Sequence, residues 1–115
     1  MCSSDLAAFT LESMLRGALT PERAAALAAA HAAGGPATLE LDLDAVAQAP
    51  ASAAAASGFT GFEFRAMATQ LTHALDVHAV HVAEGAPGNG AWPPEMLGKL
   101  CAEVVRDVAT AVVSR

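Results

Sequence analysis

The segment 38–46, TLELDLDAV, alternates apolar and acidic residues at the two-residue period of a β-strand. Its leucines would face one side and its acids the other, namely Leu39, Leu41 and Leu43 against Glu40, Asp42 and Asp44. Central strands of parallel sheets are covered on both faces, so a row of acids is unusual there. The pattern predicts a strand whose acidic face is either hydrated or close to a ligand.

Helical patterns flank this strand on both sides. A helix is predicted from Pro21, with Thr20 as its N-cap and Gly34 near its end. A second helix opens at Thr60, which has the capping-box spacing to Glu63. The segment before residue 20 is also predicted to be helical, and the segment 47–58 is predicted to be an irregular loop.

A second strand and a last helix complete the order of elements. The β-branched run at 76–84, DVHAVHVAE, which Gly-Ala-Pro ends, predicts the strand, and the segment 93–115 predicts the helix. The expected buried stripe of that helix is Leu97, Leu100, Val104, Val108 and Ala111. This order indicates an α/β chain with parallel strands and right-handed crossovers. Two strands make a poor sheet, so we expect further strands beside them.

Charge and cysteine usage exclude several classes of function. The net charge of −6, with only six basic residues, argues against binding nucleic acid or an anionic membrane surface. No apolar run reaches the roughly 18 residues that span a bilayer, and the first ten residues do not have the pattern of a secretory signal. Cys2 and Cys101 form neither a disulfide framework nor a metal-binding spacing. A cytoplasmic location is predicted.

Asp42 and Asp44 are the first candidates for a functional site. On one strand face their Cα atoms would lie about 6–7 Å apart. Two carboxylates so placed can share one hard cation or bridge two cations about 3.5–4 Å apart. The alternative is an edge strand whose acids are simply hydrated.

The context of these acids resembles the last metal-binding motif of the ureohydrolase family, which includes arginase, agmatinase and formimidoylglutamase. In that family an Asp-x-Asp at a strand end is followed, after three residues, by Pro, Ala or Gln, and later by Gly-Leu-Thr opening a helix. Asp42, Asp44 and Gln48 match this spacing, and the segment 58–63, GFTGFE, is similar to the helix start.

The next family motif, a strand ending in Asp-x-x-Glu-x-Asn/Ala-Pro, is similar to HVAEGAP at 81–87. Glu84 and Pro87 match it, and His81 stands where the family usually has Asp. The resemblance covers about residues 36 to 112 and corresponds to the last third of a complete family member. It divides the chain into a helical N-terminal segment, 1–35, and a ureohydrolase-like C-terminal segment, 36–115.

The resemblance implies a fold, a metal and an activity. The fold would be the C-terminal βαβα portion of an arginase-like three-layer parallel-sheet fold. The family holds two manganese ions with a His, an Asp-x-His-x-Asp cluster and this Asp-x-Asp pair, so Asp42 and Asp44 would be metal ligands. Glu84 would face the guanidinium or formimino group of a linear amidine such as arginine, agmatine or formimidoylglutamate. His81 would support the site from beside Glu84, or else be a hydrogen-bonded structural histidine.

The chain departs from the family motifs in its upstream ligands and in one loop position. The upstream His and Asp-x-His-x-Asp are absent, and Ser52 stands where an ungapped register expects proline. Two carboxylates do not hold two divalent ions tightly. We therefore expect the isolated chain to be inactive, as part of a longer polypeptide, half of a split assembly or one copy in a homo-oligomer. The alternatives are a noncatalytic α/β binding or assembly module that has lost its metals, and an unrelated small α/β domain.

Overall fold

The computed structural model describes residues 6–114, so Cys2 and the first residues of the predicted N-terminal segment lie outside the described part. The elements in chain order are α1 Leu11–Leu15, α2 Pro21–Ala32, β1 Pro36–Asp42, a 3₁₀ turn Leu43–Ala45, α3 Gly61–Ala74, β2 Asp76–Ala83 and α4 Pro94–Ser114. The predicted order of helices and strands is confirmed.

Side-chain hydrogen bonds cap the N-termini of α2 and α3. The Thr20 hydroxyl accepts the backbone N–H of Arg23 at 3.1 Å and caps α2, with Pro21 at the first helical position. At the start of α3, Thr60 and Glu63 form the reciprocal capping box, with N···O distances of 2.9 and 3.1 Å. Each bond satisfies a backbone N–H that has no partner within the helix.

The two strands pair in parallel, which confirms an α/β arrangement. Glu40 lies opposite His81, and Asp42 lies opposite Ala83. The predicted alternation of β1 is also confirmed, since Leu39 and Leu41 are buried while Glu40 and Asp42 are exposed. Parallel pairing brings the carboxyl ends of both strands to one edge of the sheet.

The core lies between the helices and one face of the sheet. All five residues predicted for the buried stripe of α4 are buried, namely Leu97, Leu100, Val104, Val108 and Ala111. Leu97, Leu100, Val104 and Val108 pack with Leu39, Leu41 and Val77 from the strands and Phe64 and Ala68 from α3. The opposite face of β1, formed by Thr38, Glu40 and Asp42, is exposed.

α3 is the middle helix, packed against both α2 and α4. The Arg65 guanidinium of α3 donates two hydrogen bonds to the Asp107 carboxylate of α4, at 2.7 and 3.0 Å, and one to Glu103 at 3.1 Å. The hydrogen bond and charge of Asp107, aided by the charge of Glu103, raise the pKa of Arg65. These bonds join α4 to α3.

The first strand ends earlier than the sequence pattern predicts. β1 stops at Asp42, and Leu43 to Ala45 form a 3₁₀ turn. The Oδ1 atom of Asp42 accepts the backbone N–H of Asp44 at 2.8 Å, which turns the chain out of the strand. Asp44 therefore belongs to the turn, and the prediction that it shares a strand face with Asp42 is wrong.

None of the helices within residues 6–114 is long and apolar enough to cross a membrane.

Candidate functional site

The predicted site residues lie at the carboxyl edge of the sheet. Asp42 is the last residue of β1, and Glu84 follows the last residue of β2. Open α/β sheets bind their ligands at this edge, where the loops after the strands meet. The fold thus brings Glu84 to the same end of the sheet as Asp42 and Asp44, although Glu84 lies at least 40 residues further along the chain.

Asp44 is held by the loop that follows it. Its Oδ1 atom accepts the backbone N–H of Ala53 at 2.9 Å and lies 3.5 Å from the hydroxyl of Ser52. Asp44 is half-buried, whereas Asp42 is exposed. Leu43 lies between them with only 1% of its surface exposed. The buried leucine anchors the turn, so the two carboxylates are attached to a fixed piece of backbone.

Glu84 is held by the same loop. Its Oε2 atom accepts the hydroxyl of Ser52 at 2.6 Å, and its backbone carbonyl accepts the N–H of Ser52 at 2.8 Å. Charged acceptors make hydrogen bonds of this kind short and strong. Ser52 thus contacts both the predicted substrate-binding carboxylate and one predicted metal-binding carboxylate.

The loop 47–58 has no helix or strand of its own, as predicted, but its backbone is extensively hydrogen-bonded to the loop after β2. Ala51 forms an antiparallel bridge with Gly85, and the N–H of Ala86 donates to the carbonyl of Pro50 at 2.9 Å. The Gln48 carbonyl accepts the N–H of Ala91 at 3.2 Å. These bonds satisfy backbone groups that would otherwise lose their hydrogen bonds to water. They fix the position of the loop 47–58 relative to the loop after β2.

Two non-glycine residues in the described part of the chain have positive φ, and both belong to the predicted motifs. Gln48 has φ of 60° and Glu84 has φ of 71°. The left-handed region costs a side-chain-bearing residue about 1–2 kcal/mol. Strain of this kind persists where surrounding contacts over-determine the backbone, and it is concentrated at functional sites.

Replacing Gln48 by glycine is expected to raise the free energy of unfolding by about 0.5 kcal/mol, because relief of the left-handed strain slightly exceeds the entropy that glycine adds to the unfolded chain. The matched control is Gln70→Gly in α3, which removes a side chain that donates to the Glu22 carbonyl at 3.0 Å. That change is expected to lower the free energy of unfolding by about 1–2 kcal/mol. Urea denaturation measures the free energy of unfolding of both variants. An equal decrease in Gln48→Gly and Gln70→Gly would contradict backbone strain at Gln48.

His81 contacts Glu40 across the two strands, with its Nδ1 atom 2.8 Å from the Glu40 carboxylate. Both side chains are about two-thirds exposed, so the pair contributes little to stability. It lies on the open face of the sheet, while the Glu84 carboxylate is bonded by Ser52. Glu40 as the partner of His81, and Ser52 as the partner of Glu84, are the contacts that sequence reasoning missed.

The chemistry of the carboxylates suits a hard cation. The hydrogen bonds to Asp42 and Asp44 reach Oδ1 of each, and carboxylate ligands supported in this way are usual around Mn²⁺ or Mg²⁺. Within residues 6–114, however, no group of three or more His, Cys, Asp or Glu side chains could hold a metal ion. The described residues therefore do not fit a complete binuclear centre.

A groove of about 800 Å³ lies elsewhere, between α2 and α3. Its lining includes Pro21, Phe62 and Ala66 but none of the predicted site residues. The candidate site consequently rests on the carboxylates at the sheet edge and not on this groove.

No protein-family model matches the chain, and no curated protein sequence matches it.

Proposed function

We propose that this chain is the C-terminal part of a cytoplasmic binuclear-manganese hydrolase of the ureohydrolase type, acting on linear amidines such as arginine, agmatine or formimidoylglutamate. The observation that carries the proposal is the convergence of Asp42, Asp44 and Glu84 at the carboxyl edge of a parallel sheet, with Ser52 touching both groups. Asp42 and Asp44 would be metal ligands, and Glu84 would bind the substrate.

The chemistry of the substrate suits the acids at this edge. A guanidinium or formimino group is planar and cationic, and it pairs best with a carboxylate such as that of Glu84. When bound, divalent ions at such a site supply a water activated for attack at neutral pH. Asp42 and Asp44 contribute two anionic ligands, and Glu84 contributes the orientation of the C–N bond that is cleaved.

The layers of the fold support an arginase-like three-layer architecture in the complete protein. Each helix is about 10 Å across, whereas neighbouring strands lie about 5 Å apart. The helices α2, α3 and α4 form a layer with α3 in the middle, so the outer two extend beyond a two-stranded sheet. Further parallel strands at both edges would lie under them, and a second helical layer would cover the exposed face of β1.

The remaining metal ligands must then come from another segment, either covalently joined or in a partner chain. We expect the purified chain with Mn²⁺ to release neither urea from arginine or agmatine nor formamide from formimidoylglutamate. A polypeptide that joins this chain to an in-frame upstream segment encoding the missing His and Asp-x-His-x-Asp should hydrolyse one of the three. Turnover by the chain alone would contradict the claim that it holds only part of the metal site. An inactive joined polypeptide would contradict the proposed hydrolase activity.

A noncatalytic α/β module is the second candidate, and one contact favours it. The side chain of His81, which stands where the family usually has Asp, contacts Glu40 on the open face of the sheet. Calorimetric titration with Mn²⁺ separates the two functions. Saturable Mn²⁺ binding that is lost in Asp42→Ala supports the hydrolase. A heat of Mn²⁺ titration that is the same in the unmodified chain and in Asp42→Ala supports the module.

A further inference from the structure

Ser52 and Ala53 together hold the two carboxylates of the proposed site. The Ser52 hydroxyl lies 2.6 Å from Oε2 of Glu84 and 3.5 Å from Oδ1 of Asp44. The N–H of Ala53 donates to the same Asp44 oxygen at 2.9 Å. One dipeptide of the loop therefore connects the end of β1 to the end of β2.

The position of Ser52 is set by the main chain. Its N–H donates to the Glu84 carbonyl at 2.8 Å, and the preceding residue, Ala51, forms the antiparallel bridge with Gly85. The side-chain amide of Asn89 donates to the Ala51 carbonyl at 3.2 Å. Because these bonds do not involve the hydroxyl, removing it leaves the loop in register.

A serine hydroxyl carries one proton and donates it to one acceptor at a time. The short distance to Glu84 identifies that carboxylate as the acceptor, with Asp44 at the outer limit of hydrogen bonding. When a cationic group neutralises Glu84, rotation of the same hydroxyl directs its proton toward Asp44. The hydroxyl can thus link occupancy at one carboxylate to the hydrogen bonding of the other.

We infer that Ser52 is a positioning residue, which holds the Glu84 carboxylate beside Asp44 so that the cationic group of the substrate lies next to the metal-binding carboxylates. The inference rests on the proposed function for the roles of Asp44 and Glu84. It also accounts for the left-handed backbone of Glu84, because the N–H and the hydroxyl of Ser52 both bond this one residue.

NMR spectroscopy of the isotope-labelled full chain, without metal, tests the contact. Held in one rotamer, the two Hγ protons of Glu84 should give separate signals. In Ser52→Ala the side chain should average over its staggered rotamers, and the separation between the two signals should become smaller. Ser52→Thr, which keeps a hydroxyl, should restore it, and Ser57→Ala in the same loop should leave it unchanged. A separation in Ser52→Ala as large as in the unmodified chain would overturn the inference.

The response to Mn²⁺ separates positioning from a merely structural role. With Mn²⁺ added, we expect paramagnetic broadening at Asp44 and Glu84 in the unmodified chain. In Ser52→Ala the broadening at Glu84 should fall relative to that at Asp44, and Ser52→Thr should recover it. An unchanged ratio would overturn the inference. Absence of broadening at Asp44 in the unmodified chain would count against the proposed function, and the metal-free comparison would still decide whether Ser52 holds Glu84.

Discussion

Replacing Leu43 by alanine is expected to lower the free energy of unfolding by about 3 kcal/mol. Leu43 is 1% exposed and belongs to the core cluster that joins the strands to α4. The substitution removes buried apolar surface and leaves a cavity that the tightly bonded loops around it cannot fill by collapsing. Because Leu43 lies between Asp42 and Asp44, the same change should loosen both carboxylates.

Urea denaturation measures this loss, with Leu15→Ala as the matched control. Leu15 is 73% exposed, so its truncation should change the free energy of unfolding by less than about 0.5 kcal/mol. A loss at Leu43 no larger than that at Leu15 would show that the turn between the two acids is not anchored in the core.

Substitution of Gly58 by alanine should cost about 2–3 kcal/mol, because of a collision with backbone atoms. A Cβ atom at Gly58 would lie 2.5 Å from the carbonyl oxygen of Ala45. That carbonyl accepts the N–H of Phe59 at 2.9 Å, so relieving the collision would break a bond that ties α3 to the end of β1. The loop and the start of α3 would both be displaced.

Gly98→Ala is the control for this prediction. Gly98 lies within α4, and a Cβ atom there would meet nothing within 4 Å. The same substitution should therefore raise the free energy of unfolding by about 1 kcal/mol through helix propensity. Thermal or urea unfolding should show that Gly58→Ala lowers the free energy of unfolding and that Gly98→Ala raises it. An undiminished free energy of unfolding in Gly58→Ala would contradict the close approach to Ala45.

Features that depend on nearby residues could be predicted from the sequence. The capping box of α3 needs only Thr60 and Glu63, three residues apart, and it is present. The buried stripe of α4 follows from helical periodicity alone. Helical periodicity likewise predicts a buried stripe of Phe64, Met67, Leu71 and Leu75 in α3. Met67 is only half-buried, however, while Ala68 and Thr72 are fully buried. Because α3 packs between two helices, its closest contacts take small side chains.

Features that depend on contacts between distant segments could not be predicted. One local feature was also missed, because the alternating pattern continues past Asp42 whereas the hydrogen bond from the Asp44 N–H to Asp42 ends β1 there. The Glu40–His81 pair depends on the register between two strands. The contact of Ser52 with Glu84 joins residues 32 positions apart, through loops whose alanine-rich sequence carries no periodic pattern. The sequence pattern predicts the acids of the candidate site, but it does not predict Ser52 and Ala53, whose hydrogen bonds hold them.

Paramagnetic broadening by Mn²⁺ tests the central claim, that Asp42 and Asp44 are metal-binding carboxylates, most directly. Sub-stoichiometric Mn²⁺ added to the ¹⁵N-labelled chain should broaden the amide signals of Asp42, Asp44 and Ala53 first. Asp44→Asn should remove this selectivity, and Glu95→Gln, at an exposed acid of α4, should preserve it. Broadening spread equally over the exposed acids of this chain of net charge −6, and unchanged in Asp44→Asn, would contradict the claim.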